Sequence, residues 1–226
     1  MKTIRKPLLL SLLLFLCCIN DIEAQVQPVA YAGPQLRSAL YKVRDEKQAT
    51  DSKPGFMAGG ALKVMFDNQF YFFPSIYYSL RGYKVVLKDS AYPPTQFAVN
   101  NDVSIHSITF APLFQVDLTK RPSHPFIRFG PAVDINVAGK EKFDTVSLSG
   151  NRATVTRDMP FSFADYGRVT ASLVIHAGYE GKKGLMLSAY HEYGVGSLNN
   201  ADYGPRVFHR IYGLSLGWRF GQIGKY

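Results

Sequence analysis

The sequence predicts an all-β fold: an eight-stranded antiparallel up-and-down β-barrel that spans a membrane. Three observations lead to this prediction. Several stretches alternate between large apolar residues and small or charged ones, which is the side-chain period of a β-strand. The connections between these stretches are alternately long and short. The apolar faces carry too much aromatic bulk to fit inside an eight-stranded barrel, so we expect them to face outward.

The N-terminal segment predicts export. Three basic residues precede a run at positions 8–18 that is apolar except for Ser11, and a small residue at position 24 offers a cleavage site. We therefore expect residues 1–24 to be a cleaved secretory signal peptide and residues 25–226 to form the barrel domain. The apolar run is too short for a membrane-spanning helix, which needs about 20 residues. The basic residues are Lys2, Arg5 and Lys6.

Both cysteines, Cys17 and Cys18, lie within this predicted signal peptide. We therefore expect no disulfide and no thiolate metal site in the mature chain. Attachment of lipid to one of them is disfavoured, because the residues before them are not the small ones of a lipoprotein signal.

The first predicted strand has the weakest pattern. Residues 28–39 alternate imperfectly and include Pro34, which a β-sheet tolerates at an edge or a bulge. The charged stretch at residues 42–55 predicts a long polar loop. Residues 56–66 and residues 70–82 then alternate well on either side of a tight turn, so they predict a hairpin.

A second hairpin is predicted from residues 106–118 and 126–137, which alternate as clearly as the first. The stretch before it, residues 83–105, contains paired prolines and an Asn-Asn-Asp run, and this composition is typical of a loop. The stretch after it, residues 138–165, is predicted to be the longest irregular segment.

A third hairpin is predicted from residues 168–180 and 185–195, around a turn at residues 181–184. A loop with two asparagines and a Gly-Pro pair leads from it to the closing strand. Short turns therefore alternate strictly with long loops. This alternation is typical of an outer-membrane barrel with short periplasmic turns and long extracellular loops, both termini on the periplasmic side and an even number of strands.

The closing strand, residues 212–220, separates by parity into an apolar face and a face of small residues with Arg219. We expect the apolar face, which includes Leu214 and Leu216, to contact lipid, and aromatic residues to mark the membrane interfaces. The predicted aromatic girdle consists of Phe70, Phe72, Tyr193, Tyr212, Trp218 and Phe220.

Charged residues in the strands fall on the face opposite the apolar one. An Arg or Lys on the lipid face near the membrane midplane would cost about 2 to 4 kcal/mol, so the interior is the expected place for them. Buried charges persist when they are paired, which predicts a packed polar network in the lumen. Its members are Lys63, Arg81, Asp117, Arg128, Asp134, Glu180, Glu192 and Arg219.

Several short motifs resemble those of small outer-membrane β-barrel proteins of the porin-family or PorT-like group, which have an OmpA/OmpX-type architecture. They lie at residues 78–82, 110–113, 126–131, 190–196 and 214–220 and together span most of the mature chain. The resemblance implies insertion into the outer membrane of a Gram-negative envelope, and neither a reaction nor a ligand. One departure is that such chains commonly stop at the final Phe, whereas this one continues to Tyr226.

Three functions remain open at this point. The favoured one is a non-enzymatic role in envelope structure, adhesion or binding through the loops. The first alternative is a narrow porin for small solutes, with Asp117, Arg128 and Asp134 lining the pore, although side chains fill an eight-stranded barrel. The second is a lipid-modifying enzyme active at the rim, for which Ser188, His191 and Glu192 are the nearest grouping. Adjacent strand positions point to opposite faces, which disfavours that enzyme.

No cofactor and no metal site are expected. His106, His124 and His209 are predicted to lie in loops or at strand ends, away from any shared ligand face. The Gly-Lys-Lys-Gly turn lacks the other residues of a phosphate-binding loop. The net charge is +9, but the basic residues are scattered along the chain and form no cluster, so no nucleic-acid partner is expected. The expected partners of this monomer are outer-membrane lipid, lipopolysaccharide and the outer-membrane assembly machinery.

Overall fold

A computed structural model describes residues 26–89 and 91–221. The predicted signal peptide, residues 1–24, and the last part of the C-terminal tail, residues 222–226, lie outside the described residues. Eleven β-strands are present in the described part. They are β1 (Val26–Val43), β2 (Glu46–Lys47), β3 (Ala49–Asp51), β4 (Lys53–Asp67), β5 (Phe70–Val86), β6 (Asn100–Asp117), β7 (His124–Val146), β8 (Arg152–Asp158), β9 (Val169–Glu180), β10 (Leu185–Gly194) and β11 (Arg206–Arg219).

Eight of these strands close into one antiparallel barrel. Each pairs with its neighbour in the order β11-β10-β9-β7-β6-β5-β4-β1, and β1 then pairs with β11. The closing ladder runs from Val29 opposite Arg219 to Lys42 opposite Arg206. The prediction of an eight-stranded up-and-down barrel is confirmed. In the part of the chain that the structure describes, no helix has the length and apolarity needed to cross a membrane.

The connections sort by side as the sequence predicts. Residues 68–69, 118–123 and 181–184 form short turns at one end of the barrel, here called the turn end. Residues 44–52, 87–99, 147–168 and 195–205 form the longer connections at the other end, here called the loop end. The chain enters β1 and leaves β11 at the turn end, because both strands start or stop there.

Strands reach further toward the loop end than the sequence predicts. Residues 83–86, 100–105 and 138–146, which were expected to be irregular, extend β5, β6 and β7. The predicted loop at residues 42–55 contains β2, β3 and the start of β4, and β8 lies within the predicted irregular segment. Outside the apolar belt the outer face of a strand meets water, so these parts lose the apolar outer face that marks a spanning strand in the sequence.

The strand faces are oriented as predicted, with the apolar face outward. Leu214 and Leu216 are 55% and 57% exposed, whereas Ser215 between them is buried. A bulge reverses this parity once. His106 of β6 pairs with Ala138 but Ser107 pairs with Asn136, so Val137 of β7 is the extra residue. Below the bulge the even-numbered residues of β7 face inward, and above it the odd-numbered residues do.

Two apolar cores fill the interior. The membrane core lies between the turn end and the middle of the barrel and includes Tyr31, Phe73, Tyr77, Phe126 and Tyr190. The mouth core lies at the loop end, where loop residues fold over the barrel opening. It contains Ala39, Tyr41, Val43, Tyr83, Val85, Leu87, Ala91, Ala98, Val103, Ile105, Phe143, Met159, Tyr166, Leu198 and Val207.

Close packing inside the membrane core depends on one glycine in β11. A Cβ on Gly213 would lie 2.5 Å from ring atoms of Tyr190. The absence of a side chain at this position lets the Tyr190 ring lie flat across the wall, from where its hydroxyl donates a hydrogen bond of 2.7 Å to Gln35.

Candidate functional site: the filled lumen

An ion cluster lies in the lumen at the turn end. The Lys63 ammonium is 2.9 Å from a carboxylate oxygen of Asp117 and 2.8 Å from one of Glu180. Arg219 donates from Nε to the other oxygen of Glu180 at 2.5 Å. Four different strands, β4, β6, β9 and β11, contribute these residues from their turn-end halves. The cluster therefore ties together strands that are not all neighbours in the barrel.

His124, the first residue of β7, completes this cluster. Its Nε2 lies 2.9 Å from Asp117, and its Nδ1 is 2.9 Å from the backbone carbonyl of Arg121. The expectation that His124 lies at a strand end is correct, but its contact with the ion cluster was not foreseen. Asp117 ends the first strand of this hairpin and His124 begins the second, so the hairpin register could have suggested their proximity.

Three side chains of the cluster have the chemistry of a metal site. Ligand atoms of Asp117, His124 and Glu180 lie within 4.8 Å of one another. However, the Lys63 ammonium contacts both carboxylates and supplies their positive counter-charge. A cation bound at this point would have to displace a buried lysine, so the arrangement fits an internal salt-bridge network better than a metal centre.

A second ion cluster lies in the middle of the lumen. The Arg81 guanidinium donates two hydrogen bonds to Asp134, of 2.7 and 2.6 Å, and also lies 2.5 Å from Glu192. Thr109 and Ser172 donate further hydrogen bonds to Asp134, at 2.8 and 3.0 Å. Arg81 is fully buried. One guanidinium is thus the shared positive partner of two buried carboxylates.

Arg128 departs from the expected pairing with a carboxylate. Its guanidinium donates two hydrogen bonds to the amide oxygen of Gln115, of 3.1 and 2.7 Å. The group also lies over the Phe73 ring, 3.5 Å from the ring centre, and near Phe126. Stacking on an aromatic face and a neutral acceptor replace the ion pair here. The remaining seven charged residues predicted for the lumen all have an opposite charge within 4.0 Å.

A third polar group seals the loop end. Glu141 of β7 is fully buried and accepts hydrogen bonds from the Tyr166 hydroxyl at 2.6 Å and from Asn101 at 3.2 Å. Arg157 of β8 supplies the positive charge, with its Nε 2.6 Å from Glu141 and its Nη2 3.0 Å from the carbonyl of Pro94. Burial raises the pKa of Tyr166 well above its ordinary value, so its hydroxyl stays protonated and donates.

Sequence reasoning missed this third group. Glu141, Arg157 and Tyr166 all lie at or near the segment expected to be irregular, where alternation no longer indicates which side chains face inward. The bulge at Val137 also reverses the parity of β7. If the even-inward, odd-outward alternation of the first part of β7 is continued past Val137, it places Glu141 on the outer face.

The predicted girdle residues all lie on the outer face. Phe70 stacks on Phe114 with ring centres 5.4 Å apart near the turn end, and Trp218 and Phe220 are also at that end. Tyr193 and Tyr212 lie nearer the loop end, on either side of His191. The His191 ring stacks on Tyr212 at 4.2 Å, and its Nδ1 is 2.9 Å from the carbonyl of Ile211.

The residues of the possible rim enzyme do not share a centre. His191 is on the outer face with its aromatic neighbours, whereas Glu192 is in the lumen beside Arg81. Ser188 is also in the lumen, where His176 lies 3.3 Å from its hydroxyl. Both residues of this Ser-His pair are buried, so a lipid substrate could not reach it. His106 and His209 lie within β6 and β11, contrary to the expectation of loop or strand-end positions.

The loop end also carries an open cavity of about 870 Å³ on the outside of the sealed mouth. It lies between the turn after β1 and the connection between β10 and β11. Its lining includes Lys42, Arg44, Asp45, Tyr203 and Arg206, and an ion pair of 3.3 Å joins Arg206 to Asp45. Charged side chains and the exposed Tyr203 ring therefore lie together on the outer surface of the loops.

Comparisons with known proteins give a family match and several similar solved structures. No curated protein matches the chain. Among solved structures, the chain is similar to Ail, the attachment invasion locus protein of Yersinia pestis, in complex with the heparin analogue sucrose octasulfate. The identity is 16%, 87% of this chain and 99% of that chain are covered, and the TM-score is 0.44.

Two further barrels give comparable matches. Neisserial surface protein A is 13% identical, with 85% and 97% coverage and a TM-score of 0.42. The outer membrane protein OprG from Pseudomonas aeruginosa is 12% identical, with 87% and 96% coverage and a TM-score of 0.42. A family model described as an outer membrane protein beta-barrel domain matches residues 39–200. The chain therefore belongs to the family of outer membrane protein β-barrel domains.

Proposed function

We propose that the chain is a non-enzymatic outer-membrane protein with a closed lumen, which acts in the envelope through the surface of its loop end. The filled lumen is the observation that carries this proposal. The turn-end ion cluster, the membrane core, the Arg81 cluster and the mouth core follow one another along the barrel axis. Each level consists of buried side chains that contact one another.

The same observation argues against the narrow porin. Asp117, Arg128 and Asp134, the residues a pore would need along its wall, are 3%, 4% and 0% exposed. Each is held by short contacts to a side chain of another strand, and an eight-stranded barrel has an interior that side chains fill. Solute passage would require the Arg81 cluster and the mouth core to open together.

The proposal of a non-enzymatic role is supported by the positions of Ser188, His191 and Glu192. A nucleophile, a base and an acid must meet at one reacting atom. The barrel wall separates His191 from the other two residues, and the buried pair of Ser188 and His176 has no access for substrate. The described residues thus offer no exposed catalytic centre of this type.

The proposed partners follow from the outer surface. The exposed apolar belt would contact membrane lipid, and basic residues at its loop-end border would contact the phosphates of lipopolysaccharide. Lys42, Arg206 and Arg210 lie together on the outer face of β1 and β11. Insertion would depend on the outer-membrane assembly machinery. All eight barrel strands are paired on both sides, so the barrel needs no second subunit within its own membrane.

Conductance in planar bilayers tests this proposal. Purified barrel should produce no stepwise current at moderate voltage, whereas a general porin in the same bilayer should produce open-channel steps. A variant with Arg81, Asp134 and Glu192 all replaced by serine should also give no steps, because the mouth core still closes the loop end of the barrel. Regular conductance steps from the unmodified protein would contradict the closed lumen.

A further inference from the structure

Strand β8 has an unpaired edge at the loop end. It pairs with β7 from Lys140 opposite Asp158 to Val146 opposite Arg152, and no described segment pairs with its other side. Six of its seven residues are exposed. It lacks proline, glycine and bulges, the features by which proteins commonly block such an edge. It is therefore able to accept another strand.

The hydrogen-bonding parity shows which groups are free. Met159 donates to the Gly139 carbonyl and Ser147 donates to the Asn151 carbonyl, both at 2.9 Å. Both hydrogen bonds join odd-numbered residues, so the backbone groups of the odd-numbered residues of β8 are the ones that bond to β7. The backbone N–H and C=O groups of the even-numbered residues point to the unpaired edge. Those residues are Arg152, Thr154, Thr156 and Asp158.

The unpaired edge is complementary to itself. An antiparallel copy centred on Val155 would place Arg152 opposite Asp158 of the other strand and Thr154 opposite Thr156. By symmetry, Asp158 then lies opposite Arg152 of the other strand and Thr156 opposite Thr154. These four residues of each strand are even-numbered, so their unpaired backbone N–H and C=O groups point toward the other strand. The two strands can therefore form about eight backbone hydrogen bonds. Opposite charges and β-branched residues are the favourable cross-strand pairs. Among the described residues, neither Arg152 nor Asp158 has an opposite charge within 4.0 Å.

The barrel holds this edge in a fixed position. Arg157 anchors β8 to the buried Glu141, and Val155 packs against the mouth core. The strand is therefore presented in an extended conformation before any partner binds, which lowers the ordering cost of association.

The direction of β8 decides where a second copy can be. Copies in one membrane share the same up and down direction, so neither can supply an antiparallel strand to the other. Antiparallel pairing uses a two-fold axis perpendicular to the sheet, and this axis inverts the second barrel. From Val137, the last exposed large apolar residue of β7, to Phe143, the partner of Val155, the strand rises about 20 Å. The two membranes would thus lie on the order of 30 to 40 Å apart.

We propose that β8 pairs with β8 of a second copy of this chain in an opposing membrane, so that the protein joins membrane surfaces by strand addition. This rests on the proposed function only in that the loop end must face outward. One pair of seven-residue strands buries little surface and binds weakly. Many copies on two facing membranes act together, and their combined avidity holds the surfaces in contact.

Charge exchange in vesicles tests this proposal. The full-length mature protein is reconstituted into phospholipid vesicles, and clustering is followed by light scattering. Unmodified protein should cluster the vesicles. Vesicles that carry only the Arg152→Asp variant, or only the Asp158→Arg variant, should cluster about tenfold more slowly or not at all. In each of these strand pairs, positions 152 and 158 carry like charges at both of their contacts.

Mixing the two variants should restore clustering. In the mixed pair the new carboxylate at position 152 faces the new guanidinium at position 158, and the two native side chains face each other. No clustering by the unmodified protein, clustering of a single variant at the unmodified rate, or no recovery in the mixture would each overturn the proposal. Heat-modifiable migration in gels confirms that every variant is a folded barrel.

A backbone variant gives an independent test. Thr156→Pro removes an N–H that points to the free edge and leaves the bonds between β8 and β7 intact, so clustering should be lost. Thr156→Val keeps that N–H and a β-branched side chain and should cluster normally. Equal clustering by both variants would refute strand addition. Conductance of the same vesicles reports separately on the closed lumen, so failure of the proposed function and failure of this inference are distinguishable.

Discussion

Replacing Arg81 by methionine should destabilise the barrel far more than the same change at Arg128. Both guanidinium groups are buried in the lumen, but Arg81 is the shared ion-pair partner of Asp134 and Glu192, whereas Arg128 bonds to the neutral amide of Gln115. Arg81→Met leaves two buried carboxylates without a counter-charge. Removal of one partner from a buried pair costs about 3 to 5 kcal/mol.

The cost of Arg81→Met should fall at the upper end of that range, because two carboxylates lose their partner. With a urea dependence of about 2 kcal/mol per molar, a loss of about 5 kcal/mol lowers the unfolding midpoint by about 2.5 M. Arg128→Met replaces a stacked cation with an apolar side chain of similar length and leaves no charge behind. Its effect should stay within about 1 kcal/mol of the unmodified protein.

Trp218 provides the measurement, since it is the single tryptophan of the chain and lies on the outer face of β11. Its fluorescence in lipid vesicles reports whether the closing strand remains in the membrane as urea increases. A third variant with Arg81→Met, Asp134→Leu and Glu192→Met removes the whole cluster and should recover much of the loss. Equal midpoints for Arg81→Met and Arg128→Met would refute the reasoning.

Two further predictions concern the outer face and the mouth. Leu216→Arg places a charge on the lipid face at a cost of about 2 to 4 kcal/mol and should block assembly, whereas Ser215→Thr on the inner face should not; gel migration of the folded barrel gives the yield of each. Arg157→Ala removes the counter-charge of the buried Glu141 and should loosen the β7–β8 hairpin by about 1 to 2 kcal/mol, seen as faster amide exchange. Arg152→Ala, which does not contact Glu141, should leave exchange in the hairpin unchanged.

The sequence was sufficient for the parts of the barrel that the membrane constrains. Lipid on one side and a packed lumen on the other require apolar and small or polar residues to alternate along every spanning strand. The alternation of Leu214, Ser215 and Leu216 therefore shows which of them face lipid and which faces the lumen. The sorting of short turns and long loops follows from the same constraint. Both features are local, and each can be recognised within one strand or one hairpin.

The tertiary structure decided what depends on distant segments. β1 pairs with β11 across nearly the whole chain, and Pro34 in β1 lies in a strand paired on both sides even though its local pattern is weak. Asp117 and Glu180 are paired with Lys63 and Arg219. Arg128 therefore contacts Gln115 and Phe73 instead of a carboxylate. Composition predicts that luminal charges are paired, but only packing decides the partners.

The part beyond the membrane was the least visible in the sequence. β8 and the upper half of β7 meet water on their outer face, so nothing there enforces a two-residue period, and the bulge at Val137 reverses the parity just before Glu141. The sequence by itself determined a membrane barrel and the outward direction of its apolar faces, because lipid acts on each residue of a spanning strand separately. The sealed mouth and the free edge of β8 were decided by tertiary structure alone, because they depend on contacts among segments that meet only after the barrel has closed.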